Sequence, residues 1–161
     1  MPDEKNSRRM YRVLDTWTDI DARPQRVWEM LVDFKSWEQW NPFIPVVEGD
    51  LRVGEHMRIK VVPPGLKPMV FKPKVYEVKP QEKILWGGSF LWIVYRGDHA
   101  FLLEPLPGEK TRFRQIERFR GPMVLLMGSM IKKTEIGYHQ MNLAFKRHVE
   151  GNQKTPVSVD I

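Results

Sequence analysis

The chain of 161 residues contains no cysteine. That excludes disulfides, thiolate zinc sites and a cysteine nucleophile, and it fits a reducing, cytoplasmic setting. No apolar run approaches the ~20 residues of a membrane-spanning helix. The longest, around Met123 to Met130, is interrupted by Gly128 and Ser129. The opening residues, Met1 to Arg9, carry no hydrophobic signal-peptide core. Gly87-Gly88 is followed by no Lys-Ser/Thr pair, so it is not a phosphate-binding loop. No serine nucleophile elbow occurs, and His56, His99, His139 and His148 lack metal-ligand spacing. Neither a metal nor a cofactor is expected. Internal repeats and low-complexity segments are also missing.

Proline, otherwise frequent, is absent between Pro122 and Pro156. In that interval Met123, Met127, Met130, Tyr138, Met141, Phe145 and Val149 recur at steps of three, four, seven and eight, with small Thr134 and Gly137 between them. This is the spacing of one face of an amphipathic helix. Pro122 suits the first turn and Gly151 a C-terminal cap. A helix from Gly121 to Glu150 runs roughly 40 Å, the width of a small domain. Its apolar face needs a cover, and the chain before it supplies strands.

A hydrophobic fraction of 42%, with six Trp, four Tyr and eight Phe, predicts one globular domain over 11–150, with flexible ends at 1–10 and 151–161. The net charge of +6 is unevenly spread. Residues 13–50 carry eight acidic and three basic side chains, and 52–83 carry eight basic and three acidic. A charged, solvated exterior accounts for this, and no nucleic acid partner is expected.

Strands are predicted at Tyr11–Ile20, Phe43–Glu48, His56–Val62, Val70–Lys79, Lys83–Trp86, Ile93–Leu103 and Lys110–Phe119. Pro24 opens a short helix with Val27, Trp28 and Leu31 on its apolar face. A second runs from Phe34 to Trp40 and stops at Asn41-Pro42. The connections contain Pro63-Pro64-Gly65, Pro80, Gly87-Gly88 and Pro107-Gly108, and short links of this kind join antiparallel neighbours. The expected class is α+β, with one seven-stranded antiparallel sheet curled around the long C-terminal helix.

With these elements in place, particular residues carry a resemblance. They are Ile20-Asp21-Ala22 leading to Val27-Trp28, then Asp33, Trp40-Asn41-Pro42-Phe43 and Leu51 with Gly54. Further on stand Gly97-Asp98-His99-Ala100-Phe101, Leu103-Glu104, Thr111-Arg112, Gln115, Glu117, Phe119-Arg120-Gly121 and Met141-Asn142. Over roughly residues 11–150 the chain resembles the START-like, helix-grip superfamily, which includes polyketide cyclase/dehydrase-like and pollen-allergen-like proteins. The resemblance implies a cavity between the sheet and the C-terminal helix that takes lipids, polyketides or other apolar molecules. It leaves the use made of the ligand open.

Alternation then assigns inward faces. Thr111, Phe113, Gln115, Glu117 and Phe119 share one side of the last strand, opposite Arg112, Arg114, Arg118 and Arg120. An arginine face belongs outside. Trp86, Phe101, Phe113, Gln115, Phe119, Met127, Met130, Tyr138 and Met141 are the expected ligand contacts, and core filling is the rival reading for each. An inward Glu117 loses solvation, and His99 is the candidate partner for it in an acid–base pair. The rival reading of that polar group is a satisfied hydrogen-bond network. Trp37, Trp40, Trp92 and Tyr95 are expected at the pocket rim.

Three functions follow: a carrier or sensor of a small hydrophobic ligand, a cyclase/dehydrase-type enzyme, or a non-catalytic module that uses its basic exterior. The expected partner is the ligand itself, with transient membrane contact allowed and the chain a monomer or weak dimer.

Overall fold

A computed structural model describes residues 10–91 and 94–152. The flexible ends expected at 1–10 and 151–161 therefore fall, apart from Met10, Gly151 and Asn152, outside the described residues, as do Trp92 and Ile93. β1 (Tyr11–Ile20) leads into α1 (Pro24–Val32), a 3-10 turn over Phe34–Ser36 and α2 (Trp37–Trp40). Short strands β2 (Val46–Glu48), β3 (Arg58–Val61) and β4 (Met69–Phe71) follow. Longer strands come next: β5 (Lys74–Lys79), β6 (Lys83–Phe90), β7 (Tyr95–Leu106) and β8 (Lys110–Arg120). A second 3-10 turn, Pro122–Leu126, precedes α3 (Gly128–Gly151). Among the described residues no helix is long and apolar enough to cross a membrane.

The class is α+β, but in place of the expected single seven-stranded sheet the described residues form two antiparallel sheets with eight strands. Five strands run in the order β1-β8-β7-β6-β5 and three in the order β2-β3-β4. Prolines make the difference, because a residue without an N–H cannot donate to a ladder. Pro73 divides the stretch read as Val70–Lys79 into β4 and β5. The His56–Lys74 bridge, with Met57 N donating to Pro73 O at 2.9 Å, stitches the sheets together at that corner. The strand expected from Phe43 starts only at Val46. Before it, the Asn41 side chain accepts from the N–H groups of Phe43 and Ile44 at 3.0 and 2.8 Å, and Pro45 offers no donor. The strand expected from His56 starts at Arg58. Conversely, β6 continues through Gly87-Gly88, which is mid-strand and not a connection.

The long helix begins at Gly128, six residues beyond Pro122. The intervening turn is tied to the sheet instead, since Met123 N donates to Val94 O at 3.1 Å. Gly121 (φ 113°) allows this approach, because a side chain there would meet Val94 O at 2.4 Å. Gly151 is the last helical residue and not a positive-φ cap; Asn152 N closes the helix by donating to His148 O at 3.3 Å. The 24 residues span roughly 36 Å.

The C-terminal half of α3 packs directly on the sheet. Phe145 meets Phe113 (centroids 4.8 Å apart) and Trp40 (4.9 Å). Trp37 is fully buried against Phe101 and anchors its indole N–H on Leu31 O at 3.0 Å. Burying each such ring contributes about 2–3 kcal/mol. On the outer face Arg112 forms a two-point pair with Asp19 at 2.8 and 3.0 Å and stacks over Trp17. Arg114 pairs with Asp15 and Glu104. The arginine row thus lies outside, as its alternation predicts, with Arg112 and Arg114 paired to carboxylates and Arg120 over the Tyr11 ring.

Candidate functional site: a cavity over a bare patch of the sheet

The register of the five-stranded sheet sets the inner face as a grid. Ile84 lies opposite Phe101, Trp86 opposite His99, and Gly88 opposite Gly97. Across β7 and β8, Phe101 lies opposite Gln115, His99 opposite Glu117, and Gly97 opposite Phe119. Moving along the grid, large side chains give way to the Gly88–Gly97 pair. A Cβ built on Gly88 meets nothing within 4 Å. Above this bare patch the first half of α3 stands away from the sheet. A cavity of about 540 Å³ opens between them.

Its walls are mostly apolar. Trp86 and Phe119 come from the large sheet, Ile59, Val61, Met69 and Phe71 from the small one, and Met123, Met127, Met130 and Tyr138 from the helix side. Among the lining residues Val70, Phe71, Lys72 and Ser89 are exposed, which locates the mouth beside β4 and the end of β6.

Of the residues expected as ligand contacts, Trp86, Phe119, Met127, Met130 and Tyr138 line this cavity. Phe101, Phe113, Gln115 and Met141 do not: the first three are buried on the sheet and Met141 on the C-terminal half of α3, outside the cavity wall. Core filling, the rival reading for each, describes these four, because they belong to the end of the molecule where helix and sheet pack directly. Of the three described aromatic residues expected at the rim, Tyr95 lines the cavity and Trp37 and Trp40 do not. Trp37 is core, Trp40 stacks on His148, and Trp92 is outside the described residues. Sequence reasoning missed the wall from the small sheet and both glycines. The signal available for the latter was a glycine on the inward face of each of two strands.

A polar chain enters the cavity from the core. Asn142 donates to Thr16 Oγ1 at 3.1 Å and accepts from Gln115 Nε2 at 2.6 Å. With its amide so used, Gln115 presents its oxygen to His99 Nε2, 3.1 Å away. That partner fixes the proton on Nε2 and leaves Nδ1 facing the Tyr138 hydroxyl at 3.3 Å. Tyr138 in turn donates to the Glu117 carboxylate. Glu117 and His99, expected as a pair, are direct cross-strand neighbours linked through the Tyr138 hydroxyl rather than by a hydrogen bond of their own. The rival reading of a satisfied hydrogen-bond network describes His99 and Gln115 as placed. Gly97 completes the arrangement, since a Cβ there would lie 2.6 Å from the Tyr95 hydroxyl and 3.5 Å from Glu117 Oε1.

Burial sets the electrostatics. It pushes the Glu117 carboxyl up to about 7, against the Tyr138 hydrogen bond, which lowers it, and with Asp98 adding to the rise. Burial also drives His99 down to about 3, partly offset by its bond to Gln115, so the ring is neutral at physiological pH. Tyr138 and Tyr95 are raised by burial and by the nearby Glu117, and both remain phenols. Glu117 is thus the one group at the cavity wall poised to gain or lose a proton near neutrality. Among the described residues no cluster of three His, Asp or Glu is arranged to hold a metal ion.

Solved structures share this architecture at low sequence identity. The Zhui aromatase/cyclase from Streptomyces sp. R1128 superposes with a TM-score of 0.71 at 14% identity, over 94% of this chain and 99% of that one. A norcoclaurine synthase point mutant from Thalictrum gives 0.68 at 16%, over 89% and 97%. Ara h 8.0201 gives 0.65 at 14%, over 88% and 99%. Among curated proteins no sequence matches. The family model described as polyketide cyclase / dehydrase and lipid transport matches residues 13–150. The chain therefore belongs to that family, within the START-like helix-grip superfamily whose residues its sequence carries.

Proposed function

We propose that this protein binds a small hydrophobic molecule in the cavity between the sheet and the first half of α3, as a carrier or sensor. The observation that supports it is the empty volume beside Gly88, about 540 Å³ with mostly apolar walls, within the usual range for small-molecule sites. Apolar burial supplies affinity. Glu117, Tyr138 and Tyr95 at one end supply orientation. The methionines on the helix side adapt to the ligand's outline.

The test fills the space. Gly88 faces inward on β6 with nothing beside it, so Gly88→Val adds a β-favouring side chain without a clash. Uptake of a neutral fluorescent probe such as N-phenyl-1-naphthylamine is expected to fall at least about tenfold, by loss of a few contacting methylenes. The melting temperature is expected to hold or rise. Uptake that survives unchanged in Gly88→Val would move the ligand elsewhere.

A second reading, a cyclase/dehydrase-type enzyme, is favoured by one feature: a carboxyl that titrates near 7 at an apolar wall, hydrogen-bonded to a phenol. Such a group can take a proton from carbon next to a bound carbonyl, and once Glu117 is protonated the Tyr138 hydroxyl is released from it to donate to the oxygen. Deuterium exchange into a bound 1,3-diketone is expected to stop in Glu117→Gln, while affinity stays within a few-fold. Equal losses of both would remove the catalytic reading and leave the binding one.

A further inference from the structure

We infer that the cavity mouth docks onto an anionic lipid bilayer. Three segments surround the mouth, and each carries large apolar side chains exposed to solvent. They are Leu66, Val70 and Phe71 in and beside β4, Leu91 after β6, and Leu125 and Leu126 in the turn before α3. Leu126 is 89% exposed and Leu91 66%, although buried positions lie close by in the chain. These segments are held together. Met123 N and Val94 O join the turn before α3 to the β6–β7 connection, and Lys133 reaches from α3 to Gly65 O at 3.5 Å. Scattered surface leucines need no explanation, but several on three segments that each also line one cavity do.

Charge selects the occupant. No acidic residue occurs between His56 and Tyr76, between Lys83 and Gly97, or between Arg118 and Thr134, which are the three stretches that build the rim. In the same stretches Lys67, Lys72 and Lys132 are exposed, and among the described residues none of them forms an ion pair. On the outer face of β8, Arg112 and Arg114 are matched by Asp19, Asp15 and Glu104. Arg118 and Arg120 on that face form no ion pair among the described residues, so what distinguishes the rim is unmatched lysines beside exposed leucines in stretches without an acidic side chain. Apolar tips flanked by lysines suit a surface that is apolar inside and negative at its boundary. Docked this way, the cavity opens toward the acyl phase, and an apolar ligand passes between the two without crossing water. The docking itself depends only on the rim; the passage of ligand rests on the binding function proposed above.

The experiment is flotation of the full chain with vesicles, either phosphatidylglycerol mixed with phosphatidylcholine or phosphatidylcholine alone, at low and high salt. The protein is expected to float with the anionic vesicles at low salt and to be released by high salt. Leu125→Glu with Leu126→Glu, both at solvent-facing positions, is expected to lower binding about tenfold, and Lys67→Glu with Lys72→Glu and Lys132→Glu by a similar factor. Gly88→Val, which fills the cavity, is expected to keep vesicle binding while losing the fluorescent probe. Any of three results overturns the inference: no flotation with anionic vesicles, flotation indifferent to the leucine and lysine changes, or loss of flotation in Gly88→Val. A dimer in solution that dissolves on changing Leu125 and Leu126, without vesicle binding, also overturns it and assigns the rim to a second copy of the chain.

Discussion

Replacing Glu117 by Gln is expected to stabilise the protein by about 2–3 kcal/mol at pH 8 and to change little at pH 4. Folding raises this carboxyl from an ordinary 4.5 to about 7, chiefly by burial. The folded state therefore holds the proton more tightly than the unfolded chain does. Between those two values the folded protein binds more protons, so stability falls as pH rises, and the full penalty is present above about 7. At about 1.4 kcal/mol per pH unit the rise corresponds to about 3 kcal/mol, reduced somewhat by water that the open cavity admits. Glutamine keeps an oxygen for the Tyr138 hydroxyl and carries no charge, so it removes the penalty alone. His99 acts in the opposite sense. Burial holds it neutral down to about 3 against an ordinary 6.5, so stability falls as pH drops through that interval. From about 4.5 to 6.5 the two slopes oppose each other. Wild-type stability should then form a plateau there, with an alkaline limb that Glu117→Gln abolishes. The acid limb survives in the variant, and it is shared with Asp15 and Asp19, whose pairing with Arg114 and Arg112 lowers their carboxyls. Urea denaturation midpoints across pH test this. A variant whose alkaline limb matches that of wild type would mean that Glu117 is ionised without penalty.

The grip of sheet and helix was legible because alternation and the 3.6-residue period are properties of single elements. Each can be read without knowing its neighbours. The inward placement of Glu117 followed from the same logic, since its strand carries four arginines on the other face. What escaped the sequence depended on how elements meet. The split into two sheets turned on which proline interrupts a ladder, and Pro73 does so only because β5 there pairs with Gly87 and bridges to His56. The cavity lies over the Gly88–Gly97 pair, which becomes visible only once the register of β6 on β7 is known. Glu117 and His99 were candidate partners because both face inward on neighbouring strands. Tyr138, from an element 21 residues further along, links them through its hydroxyl.

Gly137 carries the other large effect. It sits in the middle of α3, where glycine is poor for a helix, and Ala at an open position would gain about 1 kcal/mol. Here the Phe43 ring lies against the bare backbone. A Cβ on Gly137 would stand 2.2 Å from Phe43 Cδ2 and 2.4 Å from Cε2. The ring cannot swing away easily, for Phe43 is buried and packs edge-on against Tyr138 with centroids 5.1 Å apart. Its backbone N–H is also held by Asn41. Overpacking therefore outweighs propensity, and Gly137→Ala is expected to destabilise by about 2–3 kcal/mol. The melting temperature should fall by about 5–10 °C. Phe43→Leu alone loses part of the ring's burial, but it removes Cε2 and replaces the flat ring by two methyls that can rotate away from the Ala side chain. In the double variant the two effects are expected to be non-additive by at least about 1 kcal/mol in the favourable direction. Because Phe43 also lines the cavity, Gly137→Ala should weaken uptake of the neutral probe. The double variant should recover it in part. A Gly137→Ala protein as stable as wild type would mean that helix and ring separate freely, and that the contact does not set the width of the cavity.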